Sequence, residues 1–558
     1  MNEYMIGSGL SLLSSPAQPD TLVNTLSLPC RVFLAALSGV LLCLPWLNPA
    51  LYWTAWIGWV PLLFALENTR LPVAALLGWV TGVVCFAGAS NWMVAFIVNL
   101  KGLSYPLSAA LALIFWCYAG IAIGIACAGY RWLIRWLPGY QVVAFPVCVL
   151  SSMALYPLLF ETHFAEAQAQ FLSAIQGVAL LGAQGLDAVM AVVSVLIFLL
   201  VRHRTVRCLW HPLNLSALVL MLAWFTYGVA SLASWDNEIA HWESRAIGLV
   251  QPNDAVSLEI PTPAEGFSHE FPEEMLATRR LSEAGAEWVA WPEARYKGYF
   301  DKFSVREGYR ERLQETGVSL IFHDVEKRWQ DSEQVSFNSV VMLDEQGNLQ
   351  NTYRKIQRMP FGEYLPDVFS LPGLDSLSTL FLGEFLRPLA AGTDHAYFQI
   401  GDMRVVPKVC FETAFPAFIA DSIGTDGAGK ILLFLSQDSW FGETTQPFQH
   451  GAMSIIRGVE NRVPMIHLIN NGPSLATTPH GRVISATDAF SRAEVLVSMP
   501  FSKVSGGSFF SRYPWLSTWM TFLIVGILFS LSLLRLCRYR MRLLQTTSPA
   551  VNPDDQAH

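Results

Sequence analysis

The chain alternates between long apolar runs and a more polar stretch of short, mixed elements. Mostly apolar runs fall at 31–47, 51–66, 73–97, 107–129, 141–160, 176–201, 212–233 and 515–534. A helix needs about 20 such residues to cross the hydrocarbon of a bilayer. Each run is therefore an expected span, eight in all. Two are short, and the third is long with an Ala-Gly-Ala-Ser break at 87–90. From 234 onward the pattern changes. Short β-like runs occur at 245–251, 287–291, 318–324, 338–343, 404–411, 431–436 and 464–469. Helical patterns fall between several of them, near 272–285, 304–316 and 447–461. Strands alternating with helices predict α/β layers. A Pro-Gly-rich stretch at 499–514 leads back to the last span.

Composition agrees. Of the 558 residues 53% are apolar and 14% charged, against about a quarter charged in soluble domains. The net charge of −8 gives no reason to expect nucleic acid. Residues 1–27 lack a basic leading region and carry Glu3, so the first helix is expected to be an uncleaved anchor. Short cytoplasmic loops collect Lys and Arg. With the N-terminus inside, the inner segments hold Arg31, Arg70, Arg131, Arg135, Arg202, Arg204 and Arg207, and the tail holds Arg535, Arg538, Arg540 and Arg542. The outer loops are nearly free of positive charge. The expected order is a cytoplasmic segment 1–30, a membrane domain 31–233 of about seven helices, a periplasmic domain 234–514, a last helix 515–534 and a basic cytoplasmic tail 535–558.

The chain has nine cysteines, and Cys410 alone falls in the outer domain, without a disulfide partner there. A lone thiol in an oxidising compartment is either buried and inert or used. Cys410 ends the run Met403-Arg404-Val405-Val406-Pro407-Lys408-Val409 and precedes Phe411-Glu412-Thr413. A strand that stops at a nucleophile exposes its side chain, and the N–H groups of the following turn can face an oxyanion.

Three segments share a layout: Trp291-Pro292-Glu293, Tyr353-Arg354-Lys355 with Met359-Pro360-Phe361-Gly362-Glu363-Tyr364, and Val409-Cys410-Phe411-Glu412. A Glu, a Lys and a Cys in that order, each at its own strand end, resemble the nitrilase (carbon–nitrogen hydrolase) superfamily. With the membrane helices, the resemblance narrows to the apolipoprotein N-acyltransferase family. Further blocks carry it: Gln437-Asp438-Ser439-Trp440-Phe441-Gly442, Gln449-His450, Arg457 to Glu460, and Asn470-Asn471-Gly472.

The resemblance implies an extracytoplasmic αββα sandwich. It implies Glu293 as general base, Lys355 as oxyanion partner and Cys410 as nucleophile, with Glu363 a second acid and Glu412 a support. Phe411, Trp440 and Asp438 are expected supporting or pocket-lining residues. No metal or dissociable cofactor is implied. The implied reaction is ping-pong: a phospholipid ester acylates the thiol, and the amine of a diacylglyceryl-cysteine lipoprotein takes the acyl group at the surface of the bacterial inner membrane. The alternatives are a membrane-bound nitrilase-type amidase or hydrolase and an acyltransferase with another amine acceptor. The apolar segment Leu371–Leu389 is expected either to dip into lipid or to pack on the helices. The chain departs from the family at Phe411, where Tyr is usual. It departs again at Pro407-Lys408, where Pro407 is expected to disturb the strand, and in the stretch 250–260, which lacks a Trp. His450, His467 and His480 lack the spacing of metal ligands.

Overall fold

A computed structural model describes residues 26–255, 262–293, 298–330, 333–366 and 389–547. The expectations for residues 1–25, most of 371–389 and 548–558 lie outside them. The apolar runs form helices at Leu28–Leu47, Leu71–Ala89, Tyr105–Trp136, Val178–His203 and Pro212–Ile239, with Leu516–Thr547 at the end. Pro49–Leu66 is long and apolar enough to span but is built from a 3₁₀ turn, Pro49–Trp56, and a helix, Val60–Leu66. Seven of the eight expected spans thus meet the length and hydropathy of a crossing helix among the described residues.

The eighth, expected at 141–160, is the shorter helix Gln141–Leu155. It stops before Tyr156-Pro157 because a residue preceding proline is disfavoured in helical conformation. The expected span 73–97 also divides. The first helix ends at Ala89, where Ser90 turns its hydroxyl onto the Phe86 carbonyl at 2.6 Å, and a second runs Met93–Lys101. Three helices extend well past their expected ends: Tyr105–Trp136 passes 129, Pro212–Ile239 passes 233, and the last passes 534 to Thr547. Large apolar side chains such as Ile114, Leu220 and Leu523 stand exposed on these helices, as a lipid-facing belt requires.

The rest is a sandwich of two six-stranded sheets. The strands are β1 Glu243–Gln251, β2 Trp288–Ala290, β3 Ser319–Gln330, β4 Glu333–Leu343, β5 Leu349–Arg354, β6 Phe398–Ile400, β7 Met403–Val409, β8 Lys430–Ser436, β9 Met465–Ile469, β10 Leu475–Thr477, β11 Val483–Ala486 and β12 Ala493–Phe501. One sheet runs β12-β1-β2-β3-β4-β5, the other β11-β10-β9-β8-β7-β6. In each, two adjacent parallel pairs are flanked by antiparallel ones. Central parallel strands are covered on both faces and read as unbroken apolar runs. Ile431–Leu435 of β8 is such a run and is fully buried.

Ile247, Trp288, Val340, Val405, Leu433 and Leu468 close the core between the sheets. Helices Glu273–Glu283 and Phe303–Thr316 cover the outer face of the first sheet. Helices Pro416–Ile423 and Gln446–Asn461 cover the second, and their apolar side chains share one core with Trp56, Ile175, Leu186 and Trp224 of the membrane helices. One helical layer of the sandwich is thus also its seat on the bundle. Inside that seat Arg457 bonds Glu460 at 2.8 Å and Glu166 of the membrane region at 2.6 Å, all three fully buried. Glu460 also accepts the Ala183 N–H at 2.7 Å.

Candidate active site

β7 delivers Cys410 to the top of its sheet. Cys410 has φ +48° and opens a 3₁₀ turn, Cys410–Ala414. A non-glycine residue in the left-handed region is strained and persists only when its surroundings hold it. Glu412 supplies much of that hold. Its buried carboxylate accepts the Val409 N–H at 2.9 Å at the end of β7, and the Ile356 N–H at 2.8 Å, the Gln357 N–H at 3.1 Å and the Tyr353 hydroxyl at 2.6 Å around the end of β5. A single side chain therefore pins the two strand ends together and fixes Lys355 beside Cys410.

Lys355 is buried, and its ammonium bonds Glu363 at 3.0 Å. Glu363 also accepts the Met359 N–H at 2.7 Å. Asn338 on β4 donates to Glu363 at 2.7 Å and to Glu293 at 3.2 Å, and its oxygen faces His323 Nε2. Asn338 thus links the two acids, a role that a lone Asn in a strand pattern does not announce. Burial works against the Lys355 cation. The charges of Glu363, Cys410, Glu293 and Glu412 outweigh it and hold its pKa above the usual lysine value. The Cys410 thiol is pushed up by burial first and by the Glu293 charge second, with Lys355 pulling the other way. At neutral pH the thiol keeps its proton unless a base removes it.

The thiol opens into a cleft of about 1080 Å³ between the sandwich and the membrane helices. Its walls are largely apolar, with aromatic rings from Trp92, Phe115, Phe160, Phe411 and Phe441 among them. Phe411 meets Phe160 edge-on at 5.7 Å and Phe415 at 5.1 Å. Glu293 and Lys355 do not line this cleft; their charges reach the thiol all the same. Asp438 is fully buried against His450 at 2.8 Å and does not line the cleft, and Phe441 does so where Trp440 was expected. Trp440 instead offers its carbonyl to Asn99 of the membrane region at 3.1 Å. The histidines that sequence spacing kept apart come together in part. Asp438, His450 and His467 each place one ligand-type atom within 4.8 Å of the others.

Residues 249–505 match the family described as Carbon-nitrogen hydrolase, and residues 38–196 match the Apolipoprotein N-acyltransferase N-terminal domain. Curated proteins named Apolipoprotein N-acyltransferase are similar over most of their length. The one from Geobacter metallireducens is 27% identical over 88% of this chain and 94% of its own. The one from Pseudomonas paraeruginosa is 28% identical over 80% and 85%. The chain is thus similar to apolipoprotein N-acyltransferases in both its membrane region and its sandwich. Among solved structures, an amidase from Nesterenkonia sp. AN1 is 17% identical over 46% of this chain and 93% of its own, with a TM-score of 0.33.

The departures from the family pattern are accommodated in specific ways. Pro407 was expected to disturb the strand, yet the β7–β8 ladder runs through it, opposite Leu433. β6 pairs β7 only over Met403–Val405, so Pro407 has no strand on that side to require its missing N–H. Lys408 is fully buried. Its ammonium sits 3.2 Å from His395 Nδ1, 4.3 Å above the Tyr353 ring and 4.9 Å from that of Phe418. Burial lowers its pKa from 10.5 to about 8, with Glu412 opposing.

A lysine whose pKa is lowered by folding costs stability while it stays charged. The cost here is on the order of 3 kcal/mol below pH 8 and fades as pH rises from there towards 10.5. Lys408→Met is expected to raise the thermal unfolding midpoint at pH 7, with the gain shrinking at pH 9 to 10. A lower midpoint at pH 7 would count against this reading.

Proposed function

We propose that this chain moves a fatty acyl group from a phospholipid onto the α-amino group of a diacylglyceryl-cysteine lipoprotein, through a thioester on Cys410. The observation that carries the reading is the position of Cys410: at a strained strand end, under the charges of Lys355 and Glu293, and facing an apolar cleft walled by membrane helices. An acyl chain can reach that thiol from the bilayer without crossing water.

In the first half-reaction Glu293 takes the thiol proton, and Cys410 Sγ attacks the ester carbonyl. The Lys355 ammonium offsets the charge of the tetrahedral oxyanion. The C–O bond breaks, Glu293 returns the proton to the leaving alkoxide, and a lysophospholipid departs. In the second half-reaction the amine attacks the thioester, its proton passes by way of Glu293 to the departing sulfur, and the product is an amide. We place the sandwich on the periplasmic face of the inner membrane, because the arginines of the short loops and of the tail all fall on the opposite side.

The test follows the label. The protein is incubated with a phospholipid carrying a labelled acyl chain and a synthetic diacylglyceryl-cysteine peptide. Label should appear in the peptide as an amide on its α-nitrogen, and not at all when that nitrogen is acetylated beforehand. Release of labelled fatty acid at the same rate with and without peptide would identify a hydrolase instead.

A further inference from the structure

The mechanism uses Cys410, Lys355 and Glu293 and leaves a buried polar cluster beneath the Cys410–Ala414 turn without a role. His450 lies on the helix Gln446–Asn461 with only its edge exposed. Its Nδ1 is 2.8 Å from Asp438 Oδ2 and 3.4 Å from Ser436 Oγ. Its Nε2 is 3.2 Å from the Cys410 carbonyl oxygen and 3.2 Å from Thr413 Oγ1.

Proton accounting decides its state. The Asp438 carboxylate and the Cys410 carbonyl can only accept. The Ser436 hydroxyl donates to Asp438 at 2.5 Å, and the Thr413 hydroxyl donates to the Cys410 carbonyl at 2.9 Å. Both hydroxyls have spent their single proton and present lone pairs to His450. Each ring nitrogen therefore meets only acceptors. A neutral imidazole can satisfy one side; the imidazolium satisfies both.

The other groups around the ring agree. His467 on β9 lies ring to ring with His450 at 4.6 Å. Its Nδ1 bonds Ser454 Oγ at 2.7 Å, and that hydroxyl gives its proton to the His450 carbonyl at 3.1 Å. His467 Nδ1 is thus the donor, and its Nε2 has no hydrogen-bond partner among the described residues. His467 is neutral, pushed down to about 3 by burial and by the His450 charge. Lys355 is the other charge that opposes a cationic His450. Burial opposes it too, but the Asp438 charge and hydrogen bond and the Cys410 carbonyl outweigh both and raise its pKa.

We propose that His450 is a positioning residue that works as an imidazolium: fixed by Asp438, it holds the Cys410 carbonyl and so sets the peptide plane between Cys410 and Phe411. In a trans peptide the N–H points opposite to the carbonyl. Pinning the Cys410 oxygen to His450 therefore aims the Phe411 N–H the other way, and it polarises that N–H as a donor for the oxyanion. It also holds Cys410 in its strained φ. This inference rests on Cys410 being the nucleophile.

The direct test is the proton count on His450 in the full-length protein in detergent. Ring-¹⁵N-labelled histidine is recorded at pH 7, and the His450 signals are assigned by their loss in His450→Gln. Two protonated ring nitrogens are expected; one protonated nitrogen and one lone-pair nitrogen would overturn the proposal. In Asp438→Asn the His450 ring should become neutral at pH 7, and a ring still doubly protonated there would remove Asp438 from the account.

The kinetic arm measures acylation of Cys410 by labelled phospholipid. The wild-type rate should decline on the alkaline side as His450 loses its proton. His450→Gln should lower the saturating rate by roughly tenfold or more with little change in KM, and should lack that alkaline decline. A variant that is slow but keeps the wild-type pH profile would show a merely structural residue and overturn the proposal. Should Cys410→Ala still transfer acyl groups, the nucleophile reading fails, while the ring-nitrogen spectrum still reports the state of His450.

Discussion

Glu293→Gln is expected to slow acylation of Cys410 by about 10²- to 10⁴-fold at pH 7, the range of a lost general base. The reason is the state of the thiol. Burial and the Glu293 charge hold it protonated, and Lys355 offsets only part of this. Without the carboxylate, the reaction must rely on the small fraction of thiolate present. That fraction grows about tenfold per pH unit below the thiol pKa, so the variant should regain rate steadily between pH 7 and 9. The substitution keeps an oxygen for Asn338, which donates to Glu293 at 3.2 Å, so the local frame should survive. Stopped-time acylation with labelled phospholipid across that pH range measures both effects. A variant as fast as wild type, or one whose rate ignores pH, would remove Glu293 from the base role.

Arg457→Ala is expected to be the most damaging substitution outside the site. It leaves Glu166 and Glu460 fully buried without their cation. Removing one partner of a buried ion cluster costs about 3–5 kcal/mol. Burial already raises Glu166 to about 7 even with Arg457 beside it. Without the arginine both carboxylates must either take up protons or stay charged in an apolar seat. The loss should therefore be larger at pH 8 than at pH 5, where protonation relieves it. Because the cluster joins the helix Gln446–Asn461 to the membrane region, it should also loosen the cleft and slow acylation. Thermal unfolding in detergent at the two pH values reads the first effect. A midpoint within a degree or two of wild type at pH 8 would contradict it.

Much of this architecture is legible in the sequence, and the reasons are local. The Ile431–Leu435 run reads as a covered parallel strand because both its faces are apolar. Cys410 reads as a strand end because its run stops there and a turn follows. The break at Ala87–Ser90 is visible, yet its consequence is not: Ser90 ends one helix and Met93 begins another. Strands β5, β6, β10, β11 and β12 fall outside the predicted runs: β6 and β10 are three residues each, and β5 and β11 bury too few side chains to form an apolar run. Asn338 and the His450 cluster escape for a different reason. Their partners are distant in sequence: Asn338 serves Glu293, and His450 joins Asp438 to Cys410. Composition and spacing report what a segment can become; they do not report which segments meet.

In the proposed reaction the acyl group passes through Cys410, and mass spectrometry of the Cys410 peptide reads that step. After incubation with phospholipid and no acceptor, that peptide should carry the mass of one fatty acyl group as a thioester. Adding the diacylglyceryl-cysteine peptide should discharge it, while water alone should leave it largely in place. An unmodified Cys410 under conditions that support transfer would contradict the account.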